Sequence, residues 1–388
     1  MRHRAETLLL LGLVGQYPMA GIAWQAIHHL LGFRALGWDA WYVEDSGALP
    51  YDPRVGGVSG KVDFAVRYLG DVMARAGFGD RWAYVDLVRG ETHGMSRAEL
   101  KALYRHATAI VNLCGATAPR EEHRQGGRLI YVETDPAYEQ LAVAAGSSTS
   151  LAFLAAHDVL FTYGENLGRP ECAVPTGPFV WHATRPPVML SQWRQLAASS
   201  ARYFTTVASF ASRGKDIVWQ EQPYRWSKDE NFRRVLELPR HTSQPLRLAA
   251  QPPAAMAARF RRAGWDLVDP AAISRDLDTY RRFVQASRGE FTVAKDIYVR
   301  SRSGWFSDRS VCYLAAGRPV VTQDTGFGTV VPTGEGLFAF ATLAEAVEAL
   351  ARVNADYAHH SRAAFAIAAE YFAAERVLSR LLAEAGLG

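Results

Sequence analysis

A polar loop between residues 298 and 309 carries the side chains best suited to chemistry. Its three cations are Arg300, Arg302 and Arg309. Ser307 or Asp308 can cap the helix that follows, and the free N–H groups and positive dipole end of a helix attract anions. Cations, serine hydroxyls and a helix N-terminus together suit a diphosphate. The alternative is a solvated basic loop, against which the bulky Trp305 and Phe306 argue.

The loop belongs to a strand–helix–strand unit. An apolar, β-prone run covers residues 290–294, a short helix is predicted over 309–316, and a second buried strand over 319–323. Parallel strands joined through a helix place their connecting loops at the carboxyl edge of the sheet, where open α/β folds bind ligands. We therefore expect the anion at that edge.

Strands and helices alternate on both sides of a proline-rich stretch. Such alternation predicts mostly parallel sheets, and the prolines between residues 170 and 187 are typical of an interdomain linker. The predicted architecture is α/β, with two Rossmann-like, doubly wound domains that face each other across a cleft. The predicted divisions are 1–170, a linker over 171–200, 201–360, and C-terminal helices over 361–388 that cross back to the first domain.

Composition excludes several classes of protein. The 388 residues carry a net charge of +4, with Lys and Arg scattered among acids, so nucleic acid is not indicated as a partner. Three unevenly spaced cysteines support neither a disulfide framework nor a structural zinc site. The apolar run from Leu8 to Val14 predicts a first strand, so we expect a cytoplasmic protein without a transmembrane segment. The loop from Gln16 to Gly21 lacks G-x-G-x-x-G, which gives no support for a dinucleotide cofactor.

The motif order of the second half resembles that of the GT-B glycosyltransferases, in particular uncharacterised bacterial proteins similar to glycosyltransferase group 1. Residues 309–317, RSVCYLAAG, approach the R-x-F-E-A-x-A-x-G pattern of one branch, and residues 318–321, RPVV, resemble the end of the same unit. The segment 212–216 resembles the Arg/Lys pair that neutralises the donor diphosphate. The sequence departs from the family pattern at Cys312, where the family carries a glutamate that holds the ribose hydroxyls.

The resemblance implies transfer of a sugar from a nucleotide-diphosphate sugar, such as a UDP- or dTDP-sugar, to a small-molecule or glycan acceptor. Residues 1–170 would bind the acceptor and residues 201–360 the nucleotide sugar. No cofactor and no metal are expected beyond this co-substrate, and the oligomeric state is undetermined. A sugar-nucleotide epimerase, a phosphorylase and a non-catalytic binding protein remain alternatives.

Donor contacts are expected mainly from the second domain. Lys215 or Lys228 supplies a further cation for the diphosphate, and Lys295, at a strand end, either contributes as well or is solvated. Asp308 or Glu290 replaces the missing ribose-binding carboxylate. Asp324, between a strand and a glycine turn, accepts sugar hydroxyls or else only caps that turn.

The first domain is expected to supply the acceptor side. Three candidates for the catalytic base follow or flank its strands: Asp135, Glu165 and His93. Asp135 is alternatively a turn residue before Pro136, and a retaining enzyme needs no base. Three residues of the first loop, Gln16, Tyr17 and Gly21, are expected to lie beside the acceptor, because Gly21 permits close approach of a ligand to the backbone.

Overall fold

The computed structural model describes residues 5–194, 201–212 and 214–388. Its first lobe (residues 5–183) is built on an eight-stranded sheet of order β10-β9-β8-β7-β1-β2-β5-β6, in which every neighbouring pair is parallel except β5 and β6. The strands of this lobe are β1 (Thr7–Leu11), β2 (Asp39–Glu44), β3 (Tyr51–Asp52), β4 (Gly57–Val58), β5 (Trp82–Asp86), β6 (Glu91–His93), β7 (Ala109–Leu113), β8 (Arg128–Glu133), β9 (Val159–Thr162) and β10 (Trp181–Ala183). Strands β3 and β4 form a separate hairpin.

Helices cover both faces of the first sheet, which explains why its central strands are almost continuously apolar, as in the leucine run of β1. The helices of this part are α1 (Ala20–Ala35), α2 (Asp63–Arg75), α3 (Arg97–His106), α4 (Tyr138–Ala144), α5 (Ser148–Ala155) and α6 (Leu190–Trp193). A capping box begins α3: the Ser96 hydroxyl accepts from the Glu99 N–H, and the Glu99 carboxylate accepts from the Ser96 N–H.

The second lobe (residues 201–367) holds a six-stranded parallel sheet of order β15-β14-β11-β16-β17-β18 and a small antiparallel hairpin of β12 and β13. Its strands are β11 (Phe204–Val207), β12 (Ile217–Trp219), β13 (Gln222–Tyr224), β14 (Leu246–Ala249), β15 (Asp266–Val268), β16 (Gly289–Thr292), β17 (Val320–Gln323) and β18 (Leu337–Phe340). Its helices and the last helix of the chain are α7 (Asp229–Arg234), α8 (Ala254–Ala263), α9 (Pro270–Ser274), α10 (Leu277–Gln285), α11 (Asp296–Ser301), α12 (Asp308–Ala315), α13 (Leu343–Ala355), α14 (Tyr357–Ile367) and α15 (Ala374–Glu384).

Two segments differ from the sequence prediction, and a third cannot be compared with it. Helix α11 occupies the first half of the predicted loop 298–309, because residues 296–301 close a helical turn against the first lobe. Strand β10 pairs with β9, so part of the predicted linker belongs to the first sheet. The linker positions 195–200 lie outside the described residues.

The two lobes share one hydrophobic core. Helix α12 of the second lobe packs into the same cluster of buried side chains as α1 of the first lobe. Helix α15 returns to α1, where the Leu378 and Ala374 side chains surround Gly32 so closely that a Cβ there would lie 2.5 Å from Leu378. The lobes are therefore joined by packed apolar surface as well as by the linker.

Candidate active site at the interlobe seam

The carboxyl edges of the two sheets meet at an ion pair between the lobes. Asp135 follows β8 of the first lobe, and its Oδ1 accepts a hydrogen bond from the Lys295 Nζ at 2.7 Å. The Tyr298 hydroxyl, on α11, donates to the same carboxylate oxygen. Burial opposes ionisation of Asp135, but the Lys295 charge and these two hydrogen bonds outweigh it and lower its pKa. The Asp135 side chain is still 44% exposed, so solvent reaches this carboxylate.

A second lysine, Lys228, lies beside this ion pair. It directly precedes α7 and is only 9% exposed. Burial, together with the positive charges of Arg309 and Lys295, lowers its pKa to about 7. Lys228 is therefore an amine that is only partly protonated at neutral pH, and an anion placed beside it would restore the full charge.

The N-terminus of α12 completes the group. The Ser307 hydroxyl accepts from the Arg309 N–H at 3.3 Å, which confirms Ser307 as the cap. Burial raises the pKa of Asp308, Arg309 opposes this rise, and the charge of Asp135 adds to it. Asp135, Lys228, Lys295 and Asp308 thus influence one another electrostatically, and we call these four residues the seam cluster.

Arg309 does not project into the space between the lobes. Its side chain is 11% exposed and donates three hydrogen bonds, to the Glu290 carboxylate, the Val207 carbonyl and the Thr292 hydroxyl. Glu290 is fully buried on β16. In this structure the pair ties α12 to the ends of β11 and β16, and the contacts of Arg309 with a diphosphate and of Glu290 with a ribose stay predictions.

The other two arginines of the predicted loop bind neighbouring carboxylates instead. Arg300 pairs with Asp296 within α11, with 3.3 Å between Nε and Oδ2. Arg302 is half exposed and pairs with Asp324 at 3.3 Å. Asp324 also accepts from the Gly326 N–H at 2.7 Å, so it caps its turn, which was the alternative to a sugar contact. Arg300, Arg302 and Asp324 thus each have a neighbouring partner in the second lobe, and their contacts with a donor stay predictions.

Lys215 lies on an exposed loop close to the seam cluster. Its Nζ is 5.0 Å from the centre of the Trp226 ring and 5.3 Å from that of Tyr138. The Lys295 Nζ sits 3.7 Å from the same Trp226 ring. Trp226 therefore supports two cations through cation–π contacts. Arg213, the arginine of the predicted pair, lies outside the described residues.

Glu165 and His93 do not join the seam cluster. Glu165 is buried in an ion pair with Arg185 at 2.5 Å, and burial raises its pKa although the arginine opposes the rise. His93 lies in strand β6 at the sheet edge, paired with Tyr84 of β5, rather than in a loop. Five strand spacings separate β6 from β8, or roughly 24 Å, so His93 cannot act with Asp135. Of the three candidate bases, Asp135 alone lies beside the predicted donor cations of the described chain.

Asn166, whose position after β9 already places it at the cleft, bonds directly to the second lobe. Its side-chain amide donates to the carbonyls of Arg302 and Gly326 at 3.1 and 3.0 Å, and its carbonyl accepts from the Thr329 hydroxyl at 2.7 Å. Because this side chain bonds to backbone groups of the opposite lobe, it helps to hold the two lobes together. Nothing in the sequence around position 166 specifies these partners, because they lie more than a hundred residues away.

Replacing Asn166 by alanine should lower the free energy of unfolding by about 2–3 kcal/mol, because two buried carbonyls lose their donors. Chemical denaturation of the purified chain measures this change. The matched control is Thr329→Val, which removes the hydroxyl that contacts Asn166 and the Gly326 carbonyl and should cost about 1 kcal/mol. If the Asn166→Ala variant is as stable as the Thr329→Val variant, the interlobe hydrogen bonds of Asn166 do not contribute the expected free energy.

The loop after β1, which was predicted to lie beside the acceptor, is held by a buried carboxylate. Glu44 accepts from the Gly15 and Gln16 N–H groups at 2.6 and 2.9 Å and from the Tyr42 hydroxyl. Burial raises the pKa of Glu44 to about 7, against the effect of these hydrogen bonds. Gln16 is thereby fixed at the carboxyl end of β1, and Tyr17 beside it is exposed.

Gly21 faces the second lobe. It lies in the first turn of α1, where a Cβ would come within 3.8 Å of the Tyr280 hydroxyl of α10. The position therefore lies at the contact between the lobes, with room for a small side chain.

Cys312, the departure from the family pattern, belongs to the shared core. Its Sγ lies 3.7 Å from the His28 Nε2 of α1 and 3.2 Å from the Asp308 carbonyl oxygen. Burial raises the pKa of its thiol well above the ordinary value. A carboxylate at this position would be buried against α1, which explains why the chain carries a small apolar residue there.

One group in the described residues has metal-ligand types, namely Asp45, Glu122 and His123. The Asp45 carboxylate already accepts from the Tyr104 hydroxyl, the Arg120 guanidinium and the His123 ring. A guanidinium within hydrogen-bond distance repels a cation, so the group serves to hold the loop 116–124 in place.

The architecture is that of the GT-B fold: two Rossmann-like lobes whose carboxyl edges meet at a seam, with a terminal helix that crosses back. Comparison with solved structures confirms this expectation. An alpha-glucosyltransferase solved with UDP and DNA has a TM-score of 0.59 and 9% identity, covering 98% of this chain and 99% of that one. Anabaena HepE with UDP-glucose has a TM-score of 0.57 and 11% identity, covering 98% and 99%.

A third similar structure is the sucrose-phosphate synthase of Thermosynechococcus elongatus, with a TM-score of 0.54 and 12% identity, covering 98% of this chain and 100% of that one. No protein-family model matches the chain, and no curated protein sequence matches it. At such low identities the similarity establishes the fold. Among the described residues, no helix is long and apolar enough to cross a bilayer.

Proposed function

We infer that this protein transfers a sugar from a nucleoside-diphosphate sugar to an acceptor hydroxyl. The observation that carries this inference is the pair of lysines, Lys228 and Lys295, held at the carboxyl edge of the second sheet. Two buried or half-buried ammonium groups beside a helix N-terminus match a diphosphate leaving group, whose developing charge they would stabilise. Structures with the same fold have been solved with UDP or UDP-glucose, which supports the same donor class.

Asp135 is the acceptor-side group in this proposal. It reaches the seam from the first lobe, and in the ligand-free arrangement it neutralises Lys295. A donor diphosphate would pair with the Lys295 ammonium group in place of Asp135. The Asp135 carboxylate would then be free to orient an acceptor hydroxyl. Because its pKa is lowered, Asp135 is ionised at neutral pH and would accept a proton only as the new glycosidic bond forms.

The chemistry needs no metal in this proposal, because lysines and the α12 dipole neutralise the diphosphate. The donor is a UDP- or dTDP-sugar, and the acceptor is a small molecule or a glycan. UDP should bind equally well with and without EDTA in isothermal titration calorimetry. Strict dependence on a divalent cation would contradict the assignment of charge neutralisation to the lysines.

Lys295→Met should weaken UDP binding about tenfold or more, because a charge-assisted hydrogen bond contributes about 1.5–3 kcal/mol. The matched control is Arg302→Met, which removes a cation that pairs with Asp324 at the surface and should leave the affinity unchanged. Asp135→Asn should strengthen UDP binding, since it removes the competitor for Lys295, and should abolish sugar transfer. If the Lys295 and Arg302 variants lose the same UDP affinity, the diphosphate does not bind at Lys295.

Product analysis separates the alternatives on this scaffold. A transferase releases nucleoside diphosphate in proportion to glycosylated acceptor. A phosphorylase forms sugar phosphate when inorganic phosphate is supplied, and an epimerase converts the sugar nucleotide without any acceptor. Folded protein that binds none of a panel of UDP-, dTDP- and GDP-sugars would overturn the proposal.

A further inference from the structure

A buried hydroxyl at the carboxyl edge of the first sheet has no partner among the described residues. Tyr163 directly follows β9, and its backbone N–H donates to the Glu133 carbonyl at the end of β8, at 2.9 Å. The residue is only 2% exposed, and its hydroxyl forms no hydrogen bond within the described chain. Buried hydroxyl groups in native proteins are nearly always bonded, so an unbonded one points to a partner that comes from outside the chain.

The Tyr163 hydroxyl lies where the two lobes face each other. The side chain belongs to the hydrophobic cluster that the lobes share. Burial raises the pKa of Tyr163 well above the ordinary value, and Asp308, Cys114 and Asp135 add to this rise. Asp308 and Asp135 are members of the seam cluster that come from opposite lobes. The hydroxyl is therefore beside the seam cluster.

The turn after β7 is a second unusual feature at this edge. Cys114 has φ = 60°, a left-handed conformation that is uncommon for a residue with a side chain, and Gly115 follows it with φ = 64°. The Cys114 thiol donates to the Gln25 amide oxygen at 3.1 Å and accepts from the Thr134 hydroxyl at 3.0 Å. Strained backbone of this kind clusters at functional sites. Here it holds a side chain against the residue that immediately precedes Asp135.

The hydrogen-bond donors around Asp135 differ in whether they are engaged. The Thr134 hydroxyl donates to Cys114, and the Cys114 thiol donates to Gln25. The Tyr163 O–H has no acceptor among the described residues, whereas an ionised carboxylate such as that of Asp135 only accepts. One unused donor and one carboxylate at the same seam match a molecule that carries two neighbouring oxygen groups, as a sugar does.

We propose that the Tyr163 hydroxyl binds the acceptor, and that the acceptor is a sugar or another polyol. Asp135 accepts from the attacking hydroxyl, while Tyr163 donates to a neighbouring oxygen of the same molecule. A hydrogen bond donated to the attacking oxygen itself would lower its nucleophilicity, so the neighbouring oxygen is the expected partner. This assignment rests on the proposed function, because it takes Asp135 as the acceptor-side group.

The proton balance leaves Tyr163 unchanged. The bond between the donor sugar carbon and the diphosphate breaks, and the nucleoside diphosphate leaves with that electron pair. The bond between the same carbon and the acceptor oxygen forms, and the acceptor proton passes to Asp135. Tyr163 keeps its own proton throughout, so it is a binding residue rather than an acid or a base.

Tyr163→Phe tests the proposal, because it removes only the hydroxyl. Without added substrate the variant should unfold at the same temperature as the unchanged chain or at a higher one, since the lost hydroxyl has no partner within the described chain. In glucose transfer from UDP-glucose to free glucose, galactose or mannose, the KM for the acceptor should rise about tenfold with little change in kcat. The affinity for UDP should stay the same.

The matched control is Tyr68→Phe. The Tyr68 hydroxyl is also buried without a partner in the described chain, but it lies on α2. Its removal should change neither the KM for the acceptor nor the affinity for UDP.

Three results would overturn the proposal: an unchanged KM in Tyr163→Phe, an equal rise in Tyr68→Phe, or a lower unfolding temperature of Tyr163→Phe. The last result would show that the hydroxyl is bonded within the folded protein. Calorimetry with UDP separates this proposal from the proposed function. If the unchanged chain binds UDP but transfers glucose to none of the three sugars, the assignment of the acceptor fails alone. If UDP does not bind, the donor site itself is wrong.

Discussion

Replacing Arg309 by alanine should lower the free energy of unfolding by about 3–5 kcal/mol, because it strands the Glu290 carboxylate in the core. Glu290 is fully buried, and its Oε2 has no hydrogen-bond partner in the described structure even with Arg309 present. Removal of one member of a buried ion pair is far more costly than removal of both. Urea denaturation followed by circular dichroism measures the change.

The matched control is the double variant Glu290→Gln with Arg309→Met. It removes both charges while keeping side chains of similar size, and it should recover most of the lost stability. The same experiment decides between the two roles considered for Arg309. A stable Arg309→Ala variant that no longer binds UDP would restore the diphosphate contact expected from the sequence and contradict the structural role.

UDP affinity should fall roughly tenfold or more between pH 7 and pH 9, because Lys228 must be protonated to bind the diphosphate. The pKa of Lys228 is about 7, because burial and two neighbouring cations favour the neutral amine. A bound anion raises that pKa, so binding takes up a proton. The affinity is therefore greatest below pH 7 and declines as the pH rises toward the pKa of the bound state.

Calorimetry in buffers of different ionisation enthalpy detects the proton uptake directly. The matched variant is Lys228→Arg, whose guanidinium stays charged over the whole range and should remove the pH dependence between pH 7 and 9. Working above pH 7 keeps the terminal phosphate fully ionised, since its second pKa lies near 6. Parallel pH profiles for both proteins would show that Lys228 does not contact the diphosphate.

The fold could be predicted from the sequence because each of its strand–helix units has its own local sequence pattern. Alternating apolar runs and capped helices, such as the Ser96–Glu99 box, describe each strand–helix unit separately. Parallel sheets bury both faces, so β1 is recognisable from its leucines alone. The resemblance to GT-B proteins follows from the order of such units, which survives when identity falls to 9–12%.

The site was harder to predict because its partners come from distant parts of the chain. Arg309 and Lys295 are both cations beside a strand end, and only the packed structure shows that Glu290 engages the first and Asp135 the second. Asn166 likewise has no local signature of its interlobe contacts. Residue type identified the candidates, whereas burial and the side-chain direction along β16 decided their roles.

The return of α15 onto α1 has a consequence for how the chain matures. The N-terminal half emerges first from the ribosome, yet the surface of α1 around Gly32 is covered only by residues synthesised at the far end of the polypeptide. Domains usually fold as they appear during synthesis. Here the surface of α1 around Gly32 stays uncovered until α15 has been synthesised, so we expect the first lobe to gain its full stability only late in translation.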